Sequence, residues 1–527
     1  MGKSHPPDSH RSIMRSTSVM AVGTLSSRIL GFLRDIILAT LFGTGIRADA
    51  FFVAQKIPNL FRDLVGEGAA NSAVVPVLSE YKAKKTKEEF WVFVNVISVL
   101  AMIVLSVLTI LGVLLAPLIV QLIAPGFRAD PEKFALTVNL TRLMFPYLVM
   151  IGLTAHSVAI LMTFRSFTAP AFSPCLMNAA VILSALMSAA MMEEPVYGLA
   201  VGVLVGGVLQ LAVQIRPMMR EGMTFIKPKT FKHPGAAQIG RLLVPRLFGA
   251  GVYQLTVLID TFCASLGSIV GPGGISAIYY SNRIIQFPMG VFTVALASVL
   301  LPSMSGMASI NDTEKLKETL VFSLENIFFV LFPSSIMMIL LAMPIIQVLF
   351  QRGEFDLYST LITSGALTFY AFGLFSFGGI KILVTAFHAL QDTKTPVKVA
   401  AICLLINATL NFILMYPLQV SGIALASSIA ATVDFAILFY LIEKRLGGLN
   451  SGLKKFVLKI LAATILTGIA VYAFWMFLDF LPAVLSLALA GLSGIVIYEW
   501  LCLRMNIPQA KKIMEAIQRA GFKGFRI

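Results

Sequence analysis

The stretch SSRILGFLRDIILATLFG (26–43) has the apolar content of a membrane span and yet carries Arg28, Arg34 and Asp35. A guanidinium stays charged at any workable pH, and its planar fork binds phosphate or carboxylate through paired hydrogen bonds. Lys56 and Arg62 flank Pro58 in ADAFFVAQKIPNLFRDLVGEGA, and YYSNRIIQF carries Arg283. At depth, each such charge costs about 2.5–3.5 kcal/mol if it faces lipid. Arg28, Arg34, Lys56, Arg62 and Arg283 cannot all do so; they must line water, pair with acids, or both. The chemistry they suit is capture of a large polyanion in a hydrated cavity.

The acids at hand are Asp35, Asp49, Asp63 and Glu67. Arg28 and Asp35, like Asp49 and Lys56, are two helical turns apart and share a face. Buried ion pairs that hold helices in register are the competing reading. Against it stands the excess of deep cations over acids, with Asp49 near the outer rim. Arg28 and Arg34 lie about 240° apart around a straight helix, so a bend at Gly31, and another at Pro58, would be needed to converge them. Arg246 is a further basic residue within a span, whereas snorkelling explains Arg142 and Lys381 as well as function does. Asn407 and Asn411, at i and i+4, and Asp260 form an oxygen-rich set suited to a hard cation such as sodium. Asparagine hydrogen bonds between membrane helices explain the same pattern.

The elements that must position these groups are apolar helices. Of 527 residues, 57% are hydrophobic and 13% charged, more apolar than a soluble chain of this length. Fourteen spans are expected, at about 17–42, 49–79, 91–123, 134–163, 170–192, 196–215, 239–266, 274–306, 319–350, 357–388, 396–416, 420–442, 456–478 and 483–503. The fold class is therefore an all-α polytopic membrane protein. The basic start, MGKSHPPDSHRSIMRS, shows no removable signal peptide pattern and misses the myristoylation pattern. With both termini cytoplasmic, the inside segments hold YKAKKTK, Arg216, Arg220, Lys227, Lys229, Lys232, Lys444, Arg445, Lys454, Lys455 and the basic C-terminal tail. The outside loops keep only Arg47, Arg128, Lys133 and Arg352. The net charge of +15 thus reads as topology and contact with anionic membrane lipids, not nucleic acid. Cys175, Cys263, Cys403 and Cys502 lie in apolar stretches with no metal or disulfide spacing.

Two halves of the chain resemble each other at a shift of about 225 residues. AFFVAQKI (50–57) lies over AIYYSNRI (277–284), and VPVLS (75–79) over LPSMS (301–305). VYGLAVGVLVGGVLQLAV (196–213) lies over VSGIALASSIAATVDFAI (420–437), and RILG at 28 matches RLFG at 246. The expected organisation is a tail (1–16), an N-lobe of six spans (17–220), a linker (221–238) and a C-lobe of six spans (239–445). A C-terminal span pair (446–504) and a tail (505–527) follow. Equal sidedness makes this a parallel pseudo-repeat, as in several transporters.

SSRILGFLRD, ADAFFVAQKIPNLFRDLVGEGA, VPVLSEY, YYSNRIIQFPMGVFTVALASVLLPSMS and LQDTKTPVKVA closely resemble the MurJ (MviN-type) lipid II flippases of the multidrug/oligosaccharidyl-lipid/polysaccharide exporter superfamily. The resemblance implies two six-helix lobes around a cationic cavity and a final helix pair forming a groove for the polyprenyl tail. It implies movement of lipid II from the cytoplasmic to the outer leaflet of the bacterial inner membrane for peptidoglycan synthesis. The family's essential residues map onto Ser27, Arg28, Arg34, Asp35, Asp49, Arg62, Glu67 and Arg283, with Lys56 and Asn59 in the same motif. Asn282 departs from relatives that often carry an acid before the arginine, which leaves Arg283 less neutralised. On this reading Arg28, Arg34, Arg62 and Arg283, with Ser27, Lys56 and Asn59, bind the head group, and Asp35, Asp49 and Glu67 pair with them or hold a gate. No catalytic residue, metal or cofactor is expected beyond a sodium ion at Asp260, Asn407 and Asn411, with membrane potential as driving force. Partners are lipid II, anionic lipids and the cell-wall synthesis machinery, and the chain is expected to work as a monomer. The alternatives are another polyprenyl-linked oligosaccharide or a drug as cargo; an acidic cavity would suit a cationic drug better. An enzyme would want clustered loop carboxylates, for which RADPEK (128–133) is a poor candidate.

Overall fold

The computed structural model describes residues 10–62, 71–224, 230–449, 452–478 and 480–519, and among them there is no strand. The chain divides into two compact units at Gly267/Ser268. The first runs through α1 (His10–Phe42), α2 (Ile46–Arg62), α3 (Asn71–Lys84), α4 (Lys87–Leu114), α5 (Ala116–Ile123), α6 (Pro131–Met144), α7 (Tyr147–Thr163), α8 (Thr168–Met191), α9 (Val196–Arg220) and α10 (Pro234–Ser265). After the single turn α11 (Gly267–Val270), the second has α12 (Gly274–Pro288), α13 (Val294–Ser309), α14 (Thr313–Leu340), α15 (Ala342–Phe350), α16 (Leu357–Phe372) and α17 (Leu374–Ala389). It continues with α18 (Lys394–Leu418), α19 (Val420–Leu446), α20 (Gly452–Phe477), α21 (Ala483–Arg504) and α22 (Pro508–Arg519).

Among the described residues, 10 helices are long and apolar enough to cross a membrane, or 11 if α16 and α17, bent by 46°, count as one span. The remaining spans expected at 17–42, 49–79 and 239–266 correspond to α1, to α2 with α3, and to α10, the helices that carry Arg28, Arg34, Lys56 and Asp260. The helix expected to open the second lobe therefore groups, by its packing, with the first unit.

The duplication is written into the backbone at one constant shift. Thr86 caps α4, its Oγ1 accepting from Glu89 N at 3.2 Å while Glu89 Oε2 accepts from Thr86 N at 3.1 Å. Asp312 caps α14 at the equivalent position, accepting from Lys315 N at 3.2 Å. Asp130 and Asp356 repeat the device on α6 and α16. α4 breaks at Leu115 and α14 at Leu341, and in each case a proline, Pro117 or Pro344, follows within the first turn of the next helix. There its missing N–H leaves no helical hydrogen bond unmade. The turns after α7 and α17 place Arg165 and Gln391 at φ 58°. The amides of Ser166 and Asp392 then donate to Leu161 O and Phe387 O, both at 2.9 Å.

Several expected spans are interrupted. The run at 91–123 is α4 and α5, 134–163 is α6 and α7, 319–350 is α14 and α15, and 274–306 contains a π-helical turn, Met289–Thr293, after Pro288. The C-terminal tail contains α22, whose Ile507 and Ala510 flank is buried at 1% and 0% exposure. Within the units α8 packs on α9 and α1 on α8, while α18 packs on α19. Close approach of α8 and α9 requires glycine: a Cβ on Gly198, Gly202 or Gly206 would overlap Ser188, Ser184 or Met177. Outward, α4 presents Met102, Val107, Ile110 and Leu114, an apolar face of the kind that meets lipid.

Candidate functional site

α1 and α8 build the first part of the site. Asn178 of α8 packs beside Gly31, its amide 3.5 Å from where a Cβ would stand, an ordinary contact distance. Asn178 Nδ2 donates to Ser27 O at 3.0 Å, and Asn178 Oδ1 accepts from Arg34 Nη1 at 3.1 Å. Asp35 Oδ1 accepts from Arg34 Nε at 3.1 Å and Nη2 at 2.7 Å. Arg34 and Asp35 are 8% and 1% exposed. Asp35 is thus taken by its chain neighbour, which folds back on it, and not by Arg28 two turns earlier. Arg28 is exposed and has no ion-pair or hydrogen-bond partner among the described residues.

α2 enters with its own acid. Asp49, 1% exposed, accepts from Lys133 Nζ at 2.7 Å, and that ammonium also lies 4.1 Å over the Phe127 ring. The lysine that meets Asp49 directly is one that the sequence places in an outer loop. Asp130, by capping α6 through Lys133 N at 3.0 Å, fixes the start of the helix that carries Lys133. At the entry to α2, Arg47 Nε and Nη2 donate to Glu194 at 2.9 and 2.8 Å, and this bond holds the exposed Glu194 carboxyl below its usual range.

Lys56 lies further along α2 and donates from Nζ to Thr261 Oγ1 of α10 at 2.6 Å. Asn59 is half-buried, Arg62 ends α2 with its side chain outside the described residues, and Asp63 and Glu67 lie outside them altogether.

In the second unit, Tyr279 OH accepts from Arg283 Nη2 at 3.0 Å and Nε at 3.3 Å, and the guanidinium sits 5.1 Å over the Tyr279 ring. Tyr279 is one turn before Arg283, a pairing the sequence carries at i, i+4. Asn411 Nδ2 donates to Asn407 Oδ1 at 3.3 Å and Asn407 Nδ2 to Ser427 Oγ of α19 at 3.2 Å, both asparagines being buried. Asn178, Thr261, Lys133, Tyr279 and Ser427 are the partners that sequence reasoning missed. The signal for Asn178 was a single asparagine in an apolar span; Thr261 and Lys133 carried none.

The arrangement separates a committed cation, Arg34, from an uncommitted one, Arg28, on the same helix. Such a pair can hold one guanidinium as a buttress and offer the other to an anion.

A family model described as "Lipid II flippase MurJ" matches residues 38–491. The lipid II flippase MurJ of Burkholderia cenocepacia is 34% identical over 437 residues, covering 82% of this chain and 84% of its own. The probable lipid II flippase MurJ of Haemophilus influenzae is 34% identical over 496 residues, covering 90% and 96%. Among solved structures, a lipid II flippase MurJ in an inward closed conformation aligns with a TM-score of 0.78 at 28% identity, over 92% of this chain and 97% of its own. An inward-facing multidrug resistance MATE family transporter of the MOP superfamily aligns with a TM-score of 0.64 at 16% identity, over 81% and 96%, a likeness of fold alone.

Proposed function

The chain belongs to the MurJ family of lipid II flippases, and we propose that it carries lipid II from the inner to the outer leaflet of the cytoplasmic membrane by alternating access of two six-span lobes. The observation that carries the reading is Arg28: an exposed guanidinium without a partner among the described residues, about one and two-thirds helical turns from a fully paired one. At that depth it costs about 2.5–3.5 kcal/mol against lipid, so it belongs in a hydrated cavity. There the pyrophosphate and peptide carboxylates meet Arg28, Arg62 and Arg283, with Ser27, Lys56 and Asn59 alongside.

Arg34 serves first as the buttress that orients Ser27 and Arg28 through Asn178; it reaches the ligand when Asp35 lets go. Asp49 acts in a gate with Lys133, and Glu67 with it. The apolar tail stays in lipid or against the last two spans, with both chain ends on the cytoplasmic side. A sodium ion is the coupling ion of this reading, with Asp260 as the candidate ligand in the first unit and Asn407 and Asn411 as the candidates in the second, and the chain works as a monomer beside anionic lipids and the wall-synthesis machinery.

The test is lipid II exposed at the outer face of cells that depend on this chain. Arg28→Ala and Arg283→Ala, at normal expression, should each abolish exposure; unchanged exposure overturns the assignment.

A further inference from the structure

α14 runs through Pro333, which brings no N–H to the helix. The carbonyl one turn earlier, that of Phe329, thereby lacks its usual donor, in a helix long and apolar enough to cross a membrane, where water does not supply one. Tyr498 of α21 supplies it: its hydroxyl donates to Phe329 O at 2.8 Å, with the two rings 5.3 Å apart and both residues 6% exposed. One turn back along α21, Gly494 lies against Met337, an added Cβ standing 3.0 Å from its Cε, closer than ordinary contact. Phe329 and Met337 lie one turn before and one turn after Pro333. α21 therefore grips α14 on both sides of the residue at which a helix bends most easily. Gly468 of α20 meets α14 beyond the proline as well, its Cβ position 2.8 Å from Ile336 Cγ1.

The first unit has the corresponding helix without this device. Val107 of α4 stands where α14 carries Pro333, and it is 50% exposed, on the face that meets lipid. The proline and the hydroxyl that answers it thus occur together, in the repeat that carries the extra pair of spans. We propose that Tyr498 is a positioning residue for transport: its bond makes α21 a splint across Pro333, so that α20 and α21 follow α14 as the second lobe rocks and the wall beside the lipid tail moves with the lobe. This rests on the reading above, in which the lobes rock and the tail lies against the last two spans. Without the hydroxyl, α14 turns at Pro333 while α20 and α21 stay behind.

The experiment compares Tyr498→Phe, Pro333→Ala and the double variant of the full chain, by unfolding midpoint in detergent and by the rate at which lipid II reaches the outer face of cells that depend on it. Arg28→Ala is measured alongside. Tyr498→Phe leaves Phe329 O bare and should unfold about 2–4 °C lower. It should expose lipid II about fivefold more slowly, the weight of one hydrogen bond. In the double variant a new backbone N–H at position 333 takes Phe329 O, so the midpoint should return to that of wild type while exposure stays slow, the carbonyl being satisfied and the tie still gone. Pro333→Ala alone keeps the tie, since a carbonyl accepts two donors, and should expose lipid II faster than the double variant. Equal rates in those two overturn the proposal, as does recovery of both stability and exposure in the double variant, because the hydroxyl would then only complete a backbone bond. If Tyr498→Phe fails to fold, the comparison of Pro333→Ala with the double variant decides. Wild-type exposure in Tyr498→Phe with none in Arg28→Ala overturns the splint alone; wild-type exposure in both overturns the transport reading and the splint with it.

Discussion

Asp49 is 1% exposed, and the ammonium that meets it at 2.7 Å arrives from the start of α6. Two charges in so dry a place depend on each other: removing one partner of a buried pair typically costs about 3–5 kcal/mol, because the other is left bare. Asp49→Asn and Lys133→Met should therefore lower unfolding stability in detergent by comparable amounts. The exchanged pair Asp49→Lys with Lys133→Asp should recover much of the loss. A Lys133→Met protein as stable as wild type would show that Asp49 answers to another cation. At this scale the sequence was half legible. Arg28, Arg34 and Asp35 stand out because a charge in an apolar run has a cost that demands a reason. Their partners do not. Periodicity along one helix can suggest which face Asp49 shares, but Lys133 and Thr261 reach α2 from distant segments, where no local spacing connects them. Asp35 and Arg34 escape the face argument differently, since a long guanidinium can fold back on its immediate neighbour.

Helices in this chain are stopped and started by the same devices twice, from the caps at Thr86 and Asp312 to the left-handed residues Arg165 and Gln391. The weak repeat read from four short matches is the trace of this backbone. The breaks at Leu115 and Leu341 were not readable as breaks, because the residues stay apolar on both sides and hydrophobicity does not change when a helix changes direction. α22 was lost for the opposite reason, its polar composition resembling a tail despite an apolar flank. Packing between elements depends on absence of side chain more than on its presence. On α9, Gly198→Leu should force α8 and α9 apart, since a Cβ already overlaps Ser188. The cost should be about 1–3 kcal/mol or more, seen as a lower unfolding midpoint. Gly240→Ala on α10, where nothing lies within 4 Å of the added Cβ, should be neutral or slightly stabilising. Equal effects from both would mean that α8 and α9 do not rely on that contact.

A complete transport cycle returns the protein's own charges to where they began, so the net charge moved is that of the cargo together with any sodium carried in the same cycle. For lipid II alone that charge is negative and moves outward, a direction favoured by about 2.3 kcal/mol per charge per 100 mV of interior-negative potential. The distribution over the steps does not alter the total. If the arginines are neutralised by the pyrophosphate in the loaded step, that step senses little field, and the return of the bare cations toward the negative interior takes the gain. If the arginines stay paired with acids such as Asp35, the loaded step takes it instead. Both routes tie outward movement to the electrical gradient, and neither needs the pH gradient. Collapsing the potential with potassium and valinomycin at fixed pH gradient should therefore slow the appearance of lipid II at the outer face, while collapsing the pH gradient with nigericin should leave it near normal. A rate indifferent to potential would mean that an accompanying cation moves with the cargo and cancels its charge. Replacing sodium should then slow a chain that the potential does not.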